Sequence, residues 1–251
     1  IKERATADSS EWVYLDSTYI EFIGNLGTFY SMLGKYEKAE PYLIEQIGLI
    51  KKMYGEEDDH YANVNHNFAD FYRSTGNYEA AEKLYLKAIK IKQITKGKEH
   101  AEYAIFINNL GLLYWRTRQY EKAEGLYLEA EVIYLKNYGE EHPQHASVIN
   151  NLALLYTSMQ DYRKAESFYL RSKTIKEATI GKKHPDYAVL LKNLGNLYND
   201  TKRYEKAEVY YQEALKLYEE LLGEEHPRYA SALNDIAFLY IKTKEYKRAE
   251  S

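Results

Sequence analysis

The chain has 251 residues, and its 34 Lys and Arg against 38 Asp and Glu give a net charge of −4. A nucleic acid is therefore not expected as the main ligand, because phosphate binding needs a basic surface. The absence of cysteine excludes disulfide scaffolds, thiol catalysis and Cys-ligated zinc. No run of about 18 apolar residues occurs, so no membrane-spanning helix is predicted. Tyrosine is unusually frequent, with 28 copies against 7 Phe.

The tyrosines recur with a period of 42 residues. One column comprises Tyr36, Tyr78, Tyr120, Tyr162, Tyr204 and Tyr246, and a second comprises Tyr30, Tyr72, Tyr114, Tyr156, Tyr198 and Tyr240. An Ala-Glu pair follows the same period from Ala39-Glu40 to Ala249-Glu250. A fixed period of this size is typical of a solenoid, in which each repeat packs against its neighbours.

In chain order, residues 1–13 align with 43–55 and are predicted to be the tail of a preceding second helix. Full repeats are predicted at 17–58, 59–100, 101–142, 143–184 and 185–226, and a truncated one at 227–251, within a single solenoid spanning 1–251. Because both ends fall inside a repeat, we expect the sequence to be a piece of a longer protein. The start at Ile1 rather than Met is also compatible with removal of a targeting segment.

Each repeat is predicted to contain two helices. The third repeat shows a first helix over about 102–117 and a second from Tyr120 to Asn137, which Gly139 ends in a left-handed conformation. The buried face of the first helix has four residues at helical spacing: Ile107, Leu110, Gly111 and Tyr114.

Proline and glycine mark the helix ends. First helices are predicted to open at Pro143, Pro185 and Pro227, where a missing amide costs no bond. Gly34 and Gly76 suit the turn between two helices. Later repeats instead carry Arg118, Gln160, Lys202 and Lys244 at this turn. Pro41 falls inside a second helix and is expected to bend or delay it.

Small residues recur where helices must approach closely. Their columns are Gly111, Ala153 and Gly195 on first helices and Ala123, Ala165 and Ala207 on second helices. Tyrosine rings are expected to fill the space between them, with the hydroxyl groups at a wet edge. We therefore interpret most of the tyrosines as packing residues.

The combination Asn-Leu-Gly/Ala-x-x-Tyr followed by Gly-x-Tyr-x-x-Ala-Glu resembles the tetratricopeptide repeat pattern, most clearly at 150–170. The Gly-Glu-Glu-His-Pro sequence at 139–143 and 223–227 is similar to the 42-residue subclass of kinesin light chains. The resemblance covers nearly the whole chain. It implies an all-α fold, a right-handed superhelical solenoid of helix-turn-helix repeats whose first helices line a concave groove.

The residues that could support catalysis have structural explanations. Histidine recurs before the first helices, at His100, His142, His184 and His226. Equivalent residues of a solenoid lie one repeat apart, too far to share a metal, so loop packing or helix capping is favoured. Glu-Glu pairs at 56–57, 140–141 and 224–225 are expected to be solvated near a positive helix start. No phosphate-binding glycine loop, nucleophile elbow or kinase signature occurs, so no catalytic residue, metal or cofactor is predicted.

The remaining stripe on the first helices varies between repeats and is the predicted binding surface. Its candidate residues are Asn67, Arg73, Ile105, Asn108, Asn109, Leu112, Trp115, Arg116, Asn150, Asn151, Leu154, Asn193 and Asn196. An Asn carboxamide can hold a main-chain amide whatever its side chain, so the Asn column suits an extended backbone. Four apolar residues would form an anchor site: Ile105, Leu112, Trp115 and Leu154. Arg73 and Arg116 would favour an acidic residue in the ligand.

The resemblance supports this assignment, because asparagines of this column contact bound peptides in the family. Two alternatives stay open: a structural role for any one Asn, and burial of Trp115 against a neighbouring repeat. Family members that bind chaperone tails hold a terminal carboxylate with Lys and Arg on first helices. The matching residues here are Ile105, Ser147 and Val189, so that ligand class is not expected.

These features predict a cytoplasmic protein–protein interaction scaffold, rather than an enzyme, that binds a peptide segment or partner protein in the groove. One alternative is a regulatory or sensor arm of a larger enzyme or signalling ATPase. Another is a self-assembly module whose solenoid ends stack between chains. The expected partner is a protein or peptide, with self-association possible, and neither a nucleic acid nor a membrane.

Overall fold

A computed structural model describes residues 17–249, and α-helix is the regular secondary structure throughout that range. The helices are α1 (Ser17–Met32), α2 (Tyr36–Tyr54), α3 (Asp59–Thr75), α4 (Tyr78–Thr95), α5 (Ala101–Arg116), α6 (Tyr120–Tyr138), α7 (Pro143–Ser158), α8 (Tyr162–Thr179), α9 (Pro185–Asp200), α10 (Tyr204–Leu222), α11 (Pro227–Lys242) and α12 (Tyr246–Ala249). They form consecutive helix-turn-helix pairs, with an odd-numbered first helix and an even-numbered second helix. The segment 1–13 lies outside the described residues.

The chain divides into two compact units, Ile1–Gly97 and Lys98–Ser251, called unit 1 and unit 2 below. In unit 1, α2 packs between α1 and α3, and α3 packs on α4. An apolar cluster of Ala39, Leu43, Phe68 and Phe71 joins α2 to α3. In unit 2, each helix from α5 to α12 contacts the next one along the chain. The first helix α7 also contacts the first helices α5 and α9.

The four column histidines cap the helices that follow them. His142 Nδ1 accepts the amide N–H of Gln144 at 3.2 Å, and His184 Nδ1 accepts that of Asp186 at 3.1 Å. His100 and His226 make the equivalent bond. The capping role predicted for this column is confirmed, and the prolines after three of these histidines occupy the first helical positions as expected.

The turns between paired helices need a residue with positive φ. Gly34 and Gly76 supply it at φ 69° and 82°. The later repeats place non-glycine residues there: Arg118, Gln160, Lys202 and Lys244, at φ 58° to 63°. At the end of α9, Lys202 N–H donates to the carbonyl of Asn199, and Arg203 N–H donates to that of Tyr198, which is the Schellman pattern. These turns therefore keep one geometry despite the loss of glycine.

Gly139 ends α6 as predicted, but it is not in the left-handed helical region. Its φ of 80° is positive, while its ψ of −178° is extended. Gly55 and Gly223 show the same combination after α2 and α10. This region of backbone conformation is nearly exclusive to glycine, which explains these three glycines better than a left-handed cap does.

Pro41 does not delay α2, which begins at Tyr36 and runs through the proline. The proline lies near the start of the helix, where its missing N–H leaves only one carbonyl, that of Glu37, without its usual partner. The other residues of the helix continue the hydrogen-bonded pattern to Tyr54.

The small residues on first helices make room for large side chains on second helices. A Cβ atom at Gly111 would lie 2.7 Å from Tyr127 Cε1, and one at Gly195 would lie 2.5 Å from the ring of Tyr211. Both tyrosines are 1% exposed, so the rings have little room to move. The predicted pairing of small residues with tyrosine rings is confirmed at these positions.

Within each unit, tyrosine hydroxyl groups also join neighbouring repeats. Four such bonds run from the second tyrosine column to the Glu of the Ala-Glu pair: Tyr72 to Glu40 at 2.8 Å, Tyr156 to Glu124 at 2.6 Å, Tyr198 to Glu166 at 2.8 Å and Tyr240 to Glu208 at 2.8 Å. Burial and the bond to Glu40 raise the pKa of Tyr72 to about 12. The second tyrosine column and the Glu of the Ala-Glu pair, two of the most regular features of the sequence, therefore bond to each other between neighbouring repeats.

The Glu-Glu pairs are exposed, as expected, and one of them also forms ion pairs. Glu56 binds Lys51 and also Lys87 Nζ, the latter at 2.9 Å. These hydrogen bonds lower the pKa of the Glu56 carboxyl to about 2. Glu140 and Glu141 are exposed, as expected.

Candidate functional site

The predicted binding residues lie on first helices: Asn67 and Arg73 on α3 of unit 1, and the others on α5, α7 and α9 of unit 2. We call the second group the unit 2 stripe; it comprises Ile105, Asn108, Asn109, Leu112, Trp115, Arg116, Asn150, Asn151, Leu154, Asn193 and Asn196. All of its members are half-buried except Arg116, which is exposed. Repeat packing therefore leaves part of each side chain accessible.

Carboxamides of neighbouring first helices are bonded to one another in the unit 2 stripe. Asn151 Nδ2 on α7 donates to Asn108 Oδ1 on α5 at 3.0 Å. Asn108 Nδ2 in turn donates to Asn109 Oδ1 at 3.4 Å. An Asn side chain offers two N–H donors and one oxygen acceptor, so these bonds orient the amides without using all their capacity.

Trp115 lies at the end of α5 and links it to α7. Its indole Nε1–H donates to Ser158 Oγ at 2.8 Å, and Ser158 Oγ donates to the carbonyl of Leu154 at 3.0 Å. The indole N–H of Trp115 therefore bonds to the neighbouring repeat, as the alternative interpretation expected, and the side chain as a whole is half-buried. Ile105, Leu112 and Leu154 are also half-buried, on α5 and α7.

Asn196 and Asn199 on α9 serve the packing of their own region. Asn196 Oδ1 accepts the hydroxyl proton of Tyr211 at 2.7 Å. Asn199 is 8% exposed and its Oδ1 accepts from Lys242 Nζ at 3.3 Å. The Oδ1 atom of Asn196 therefore accepts a hydrogen bond within its own repeat. Asn196 thus has the structural role that was left open for individual asparagines. Asn193 is half-buried.

In unit 1, Asn67 lies exposed beside a cavity of about 450 Å³ between α1, α2 and α3. Asn25, which lies one repeat earlier in the same column, lines the cavity as well. Asn25 is not among the candidate residues predicted from the sequence, although the 42-residue period places it in the same column as Asn67. The regular Asn column was the signal that pointed to it.

Arg73 does not provide the free cation that the sequence suggested. Arg73 Nη2 pairs with Asp70 Oδ1 at 2.8 Å, and Tyr85 OH donates to the same oxygen at 2.5 Å. The Arg73 side chain is 17% exposed. Burial and Asp70 raise the pKa of the Tyr85 hydroxyl, which stays protonated and donating. Asp70 lies one turn before Arg73 on α3, so its charge offsets that of the arginine.

The unit 2 stripe carries little net charge. Lys192 on α9 donates to Ser231 Oγ at 2.7 Å and pairs with Asp235 Oδ2 at 3.1 Å. Arg116 is exposed and forms no ion pair with residues 17–249. A surface of amides and apolar side chains with a single exposed arginine suits recognition of a main chain better than recognition of a strongly charged ligand.

Neither a metal centre nor a membrane span is found in the described part of the chain. Within residues 17–249, no group of three or more His, Asp or Glu side chains is placed to hold a metal ion. Over the same range, no helix combines the length and apolarity needed to cross a membrane.

The architecture of repeated helix-turn-helix pairs, with glycine or alanine on one helix against tyrosine on the next, defines a helical repeat protein. The chain belongs to the tetratricopeptide repeat family, whose model matches residues 18–94, 102–178, 144–220 and 186–251. Among curated proteins, no sequence matches the chain.

Similar crystal structures are kinesin-light-chain-like. BtubC (BKLC) from P. vanneervenii is 28% identical, with a TM-score of 0.69 over 84% of this chain and 83% of that one. The kinesin light chain TPR-like repeats of Podosopora anserina are 18% identical, with a TM-score of 0.66 over 82% of this chain and 97% of that one. A point-substituted form of those repeats is 19% identical, with a TM-score of 0.67 over 81% of this chain and 96% of that one. The Podosopora structures show the shared fold, and the likeness to BtubC supports a kinesin-light-chain-like repeat protein.

Proposed function

We propose that the unit 2 stripe binds an extended peptide segment of a partner protein. The tetratricopeptide repeat fold is generally a protein–protein interaction scaffold. The observation that carries the finer proposal is the pairing of Asn151 with Asn108 across two first helices, beside half-buried apolar side chains. Oriented amides without a dominant charge favour main-chain hydrogen bonds, and the apolar residues favour an anchoring side chain.

Trp115 and Leu154 supply the apolar part of this surface. The bond from Trp115 to Ser158 holds the indole in one orientation. A ring held in place loses little conformational freedom when a ligand packs against its open face. We therefore expect an apolar or aromatic ligand residue to pack here.

A peptide-display selection on the whole 251-residue chain tests the proposal. It is run in parallel on a variant with Asn109→Ala, Asn151→Ala and Trp115→Ala, after circular dichroism has shown that the variant is folded. Lys216→Ala on α10 serves as a control, because that side chain is 74% exposed and lies on a second helix.

The expected result is an enriched motif with an apolar anchor that the triple variant no longer selects and the control still selects. Enrichment of no motif by the unaltered chain, or equal binding by the triple variant, would contradict the proposal. The repeats would then bind a folded surface or act as a spacer.

A further inference from the structure

The outer side of α6 in unit 2 carries an exposed apolar stripe. Leu128, Val132 and Leu135 are 39%, 64% and 39% exposed. Their spacing of four and three residues places them on one face of the helix, and we call them the α6 stripe. The opposite face of α6 packs on α5 and α7 and contains four buried residues: Ala123, Tyr127, Ala130 and Tyr134.

The packing of one repeat on the next does not explain the α6 stripe. The same three repeat positions hold Ile44, Gly48 and Lys51 in α2, Leu86, Lys90 and Gln93 in α4, Leu170, Thr174 and Glu177 in α8, and Gln212, Lys216 and Glu219 in α10. Those second helices pack against first helices in the same manner as α6, yet none of them has three apolar residues at these positions. An apolar patch on the surface of one repeat, where the other repeats are polar, indicates an interaction surface.

Gly125 lies on the same side of α6, one turn before Leu128, and is exposed. Glycine inside a helix is less favourable than every residue except proline. Among residues 17–249, no atom beyond this part of the helix would lie within 4 Å of a Cβ atom at Gly125. The packing of the chain itself therefore does not require a glycine here. A missing side chain on an exposed helix face does allow the backbone of a second helix to approach closely.

The α6 stripe is complementary to itself when two copies of α6 pack antiparallel. If Val132 faces Val132 of a second copy, Leu128 of each copy faces Leu135 of the other, because they lie four residues before and three after Val132. In the same register, Glu129 of each copy lies opposite Lys136 of the other. A two-fold axis repeats each contact, which gives two leucine pairs and two pairs of opposite charge. Parallel packing would instead place Glu129 beside Glu129, so the charges favour the antiparallel arrangement.

The two charged groups that border the α6 stripe can each take a further partner. Glu129 is exposed and accepts the hydroxyl proton of Tyr103. Lys136 Nζ binds Glu99, and these two side chains are 66% and 75% exposed. A carboxylate has about four lone-pair sites and an ammonium group has three donors, so neither group is saturated by its present partner.

We propose that the chain forms a two-fold symmetric dimer through antiparallel packing of the α6 stripe on that of a second copy. One helix against one helix buries a small area, so the dimer dissociates on dilution. The unit 2 stripe lies on first helices, whereas the α6 stripe faces away from α5 and α7. The dimer therefore leaves the first-helix surface free and does not depend on the proposed peptide site.

Sedimentation velocity on the whole chain at increasing concentration tests the dimer. Val132→Lys places two like charges at the two-fold axis, and Lys90 and Lys216 show that second helices accept lysine at this position. Thr174→Lys makes the same kind of change at the equivalent position of α8 and is the matched control. Circular dichroism checks that both variants are folded.

The unaltered chain and Thr174→Lys should approach twice the mass of one chain as the concentration rises. Val132→Lys should raise the dissociation constant of the dimer about tenfold or more. A single-chain mass at every concentration of the unaltered chain overturns the proposal. Association that Val132→Lys leaves unchanged also overturns it, because the contact then lies on another surface.

Two further comparisons test the antiparallel register. Glu129→Lys and Lys136→Glu each place like charges opposite one another and should weaken the dimer, whereas the double variant should recover it. The chain contains no cysteine, so Val132→Cys introduces a single thiol. Oxidation should link two copies of Val132→Cys and not two copies of Thr174→Cys. A double variant as weak as the single ones, or equal cross-linking of the two cysteine variants, overturns this register.

Discussion

Removal of the Tyr198 hydroxyl group should weaken the interface between two repeats of unit 2. Tyr198 is 2% exposed and donates to Glu166 Oε1 at 2.8 Å. Arg203 also binds both oxygens of Glu166 at 2.9 Å, so the carboxylate keeps a partner when the hydroxyl is lost. A hydrogen bond to a charged group contributes about 1.5–3 kcal/mol. Because Arg203 still binds the carboxylate, we expect Tyr198→Phe to cost less than the full value, about 1–2 kcal/mol.

The penalty should also depend on pH. Burial raises the pKa of the Glu166 carboxyl, but the bonds from Arg203 and Tyr198 outweigh burial and keep the pKa below its usual value of 4.5. A carboxyl with a lowered folded-state pKa stabilises the fold at neutral pH, and this contribution is lost as the pH falls through the folded-state value. The penalty of Tyr198→Phe should therefore shrink as the medium becomes more acidic than pH 4.5.

Urea unfolding followed by circular dichroism measures this penalty, with Tyr134→Phe as the matched control. Tyr134 is also 2% exposed, and its hydroxyl forms no hydrogen bond with residues 17–249. We expect Tyr134→Phe to change the free energy of unfolding by less than about 0.5 kcal/mol. Equal penalties for the two variants, or a Tyr198→Phe penalty that grows in acid, would refute the role assigned to the Tyr–Glu bond.

Three further substitutions test the packing, the turns and the caps. Ala165→Leu, at a site that is 0% exposed, should overpack the helix pair and cost about 1–3 kcal/mol in urea unfolding. Lys202→Gly should raise the free energy of unfolding by about 0.5–1 kcal/mol, because glycine relieves the positive φ of 58° at some cost in unfolded-state entropy. His142→Ala should lower the melting temperature through a cap loss of about 1 kcal/mol, whereas His142→Asn should retain most of the cap.

Controls make each of these results interpretable. Lys206→Gly, at an exposed position inside α10, should destabilise the chain where Lys202→Gly stabilises it. No stability loss in Ala165→Leu would show that the helix pairing is described incorrectly. Equal losses in His142→Ala and His142→Asn would show that Nδ1 does not act as the cap.

The helices and their close contacts could be predicted because they depend on local spacing. The first helix predicted over 102–117 is Ala101–Arg116, and the second predicted from Tyr120 to Asn137 is Tyr120–Tyr138. The pairing of Gly111 with a tyrosine ring follows from two columns with one period. Such patterns are repeated, so each repeat supports the interpretation of the others.

Contacts between side chains of different repeats could not be predicted in the same way. The period shows that Tyr198 and Glu166 both recur, but their partnership depends on how far one helix pair is offset from the next. The bond from Trp115 to Ser158 could not be predicted for the same reason, because it also joins two repeats. The pairing of Arg73 with Asp70, by contrast, was readable from their three-residue spacing on one helix.

Side-chain amide NMR spectra test the central claim, that a peptide binds the unit 2 stripe, most directly. The protein is labelled with ¹⁵N-asparagine, and the peptide enriched by display is added. Asn137 on α6 is the internal reference, because its Nδ2 donates to the carbonyls of Glu99 and Ile133, both at 2.8 Å. We predict that the Asn109 and Asn151 signals shift while that of Asn137 does not. Binding that leaves the Asn109 and Asn151 signals in place would contradict the claim.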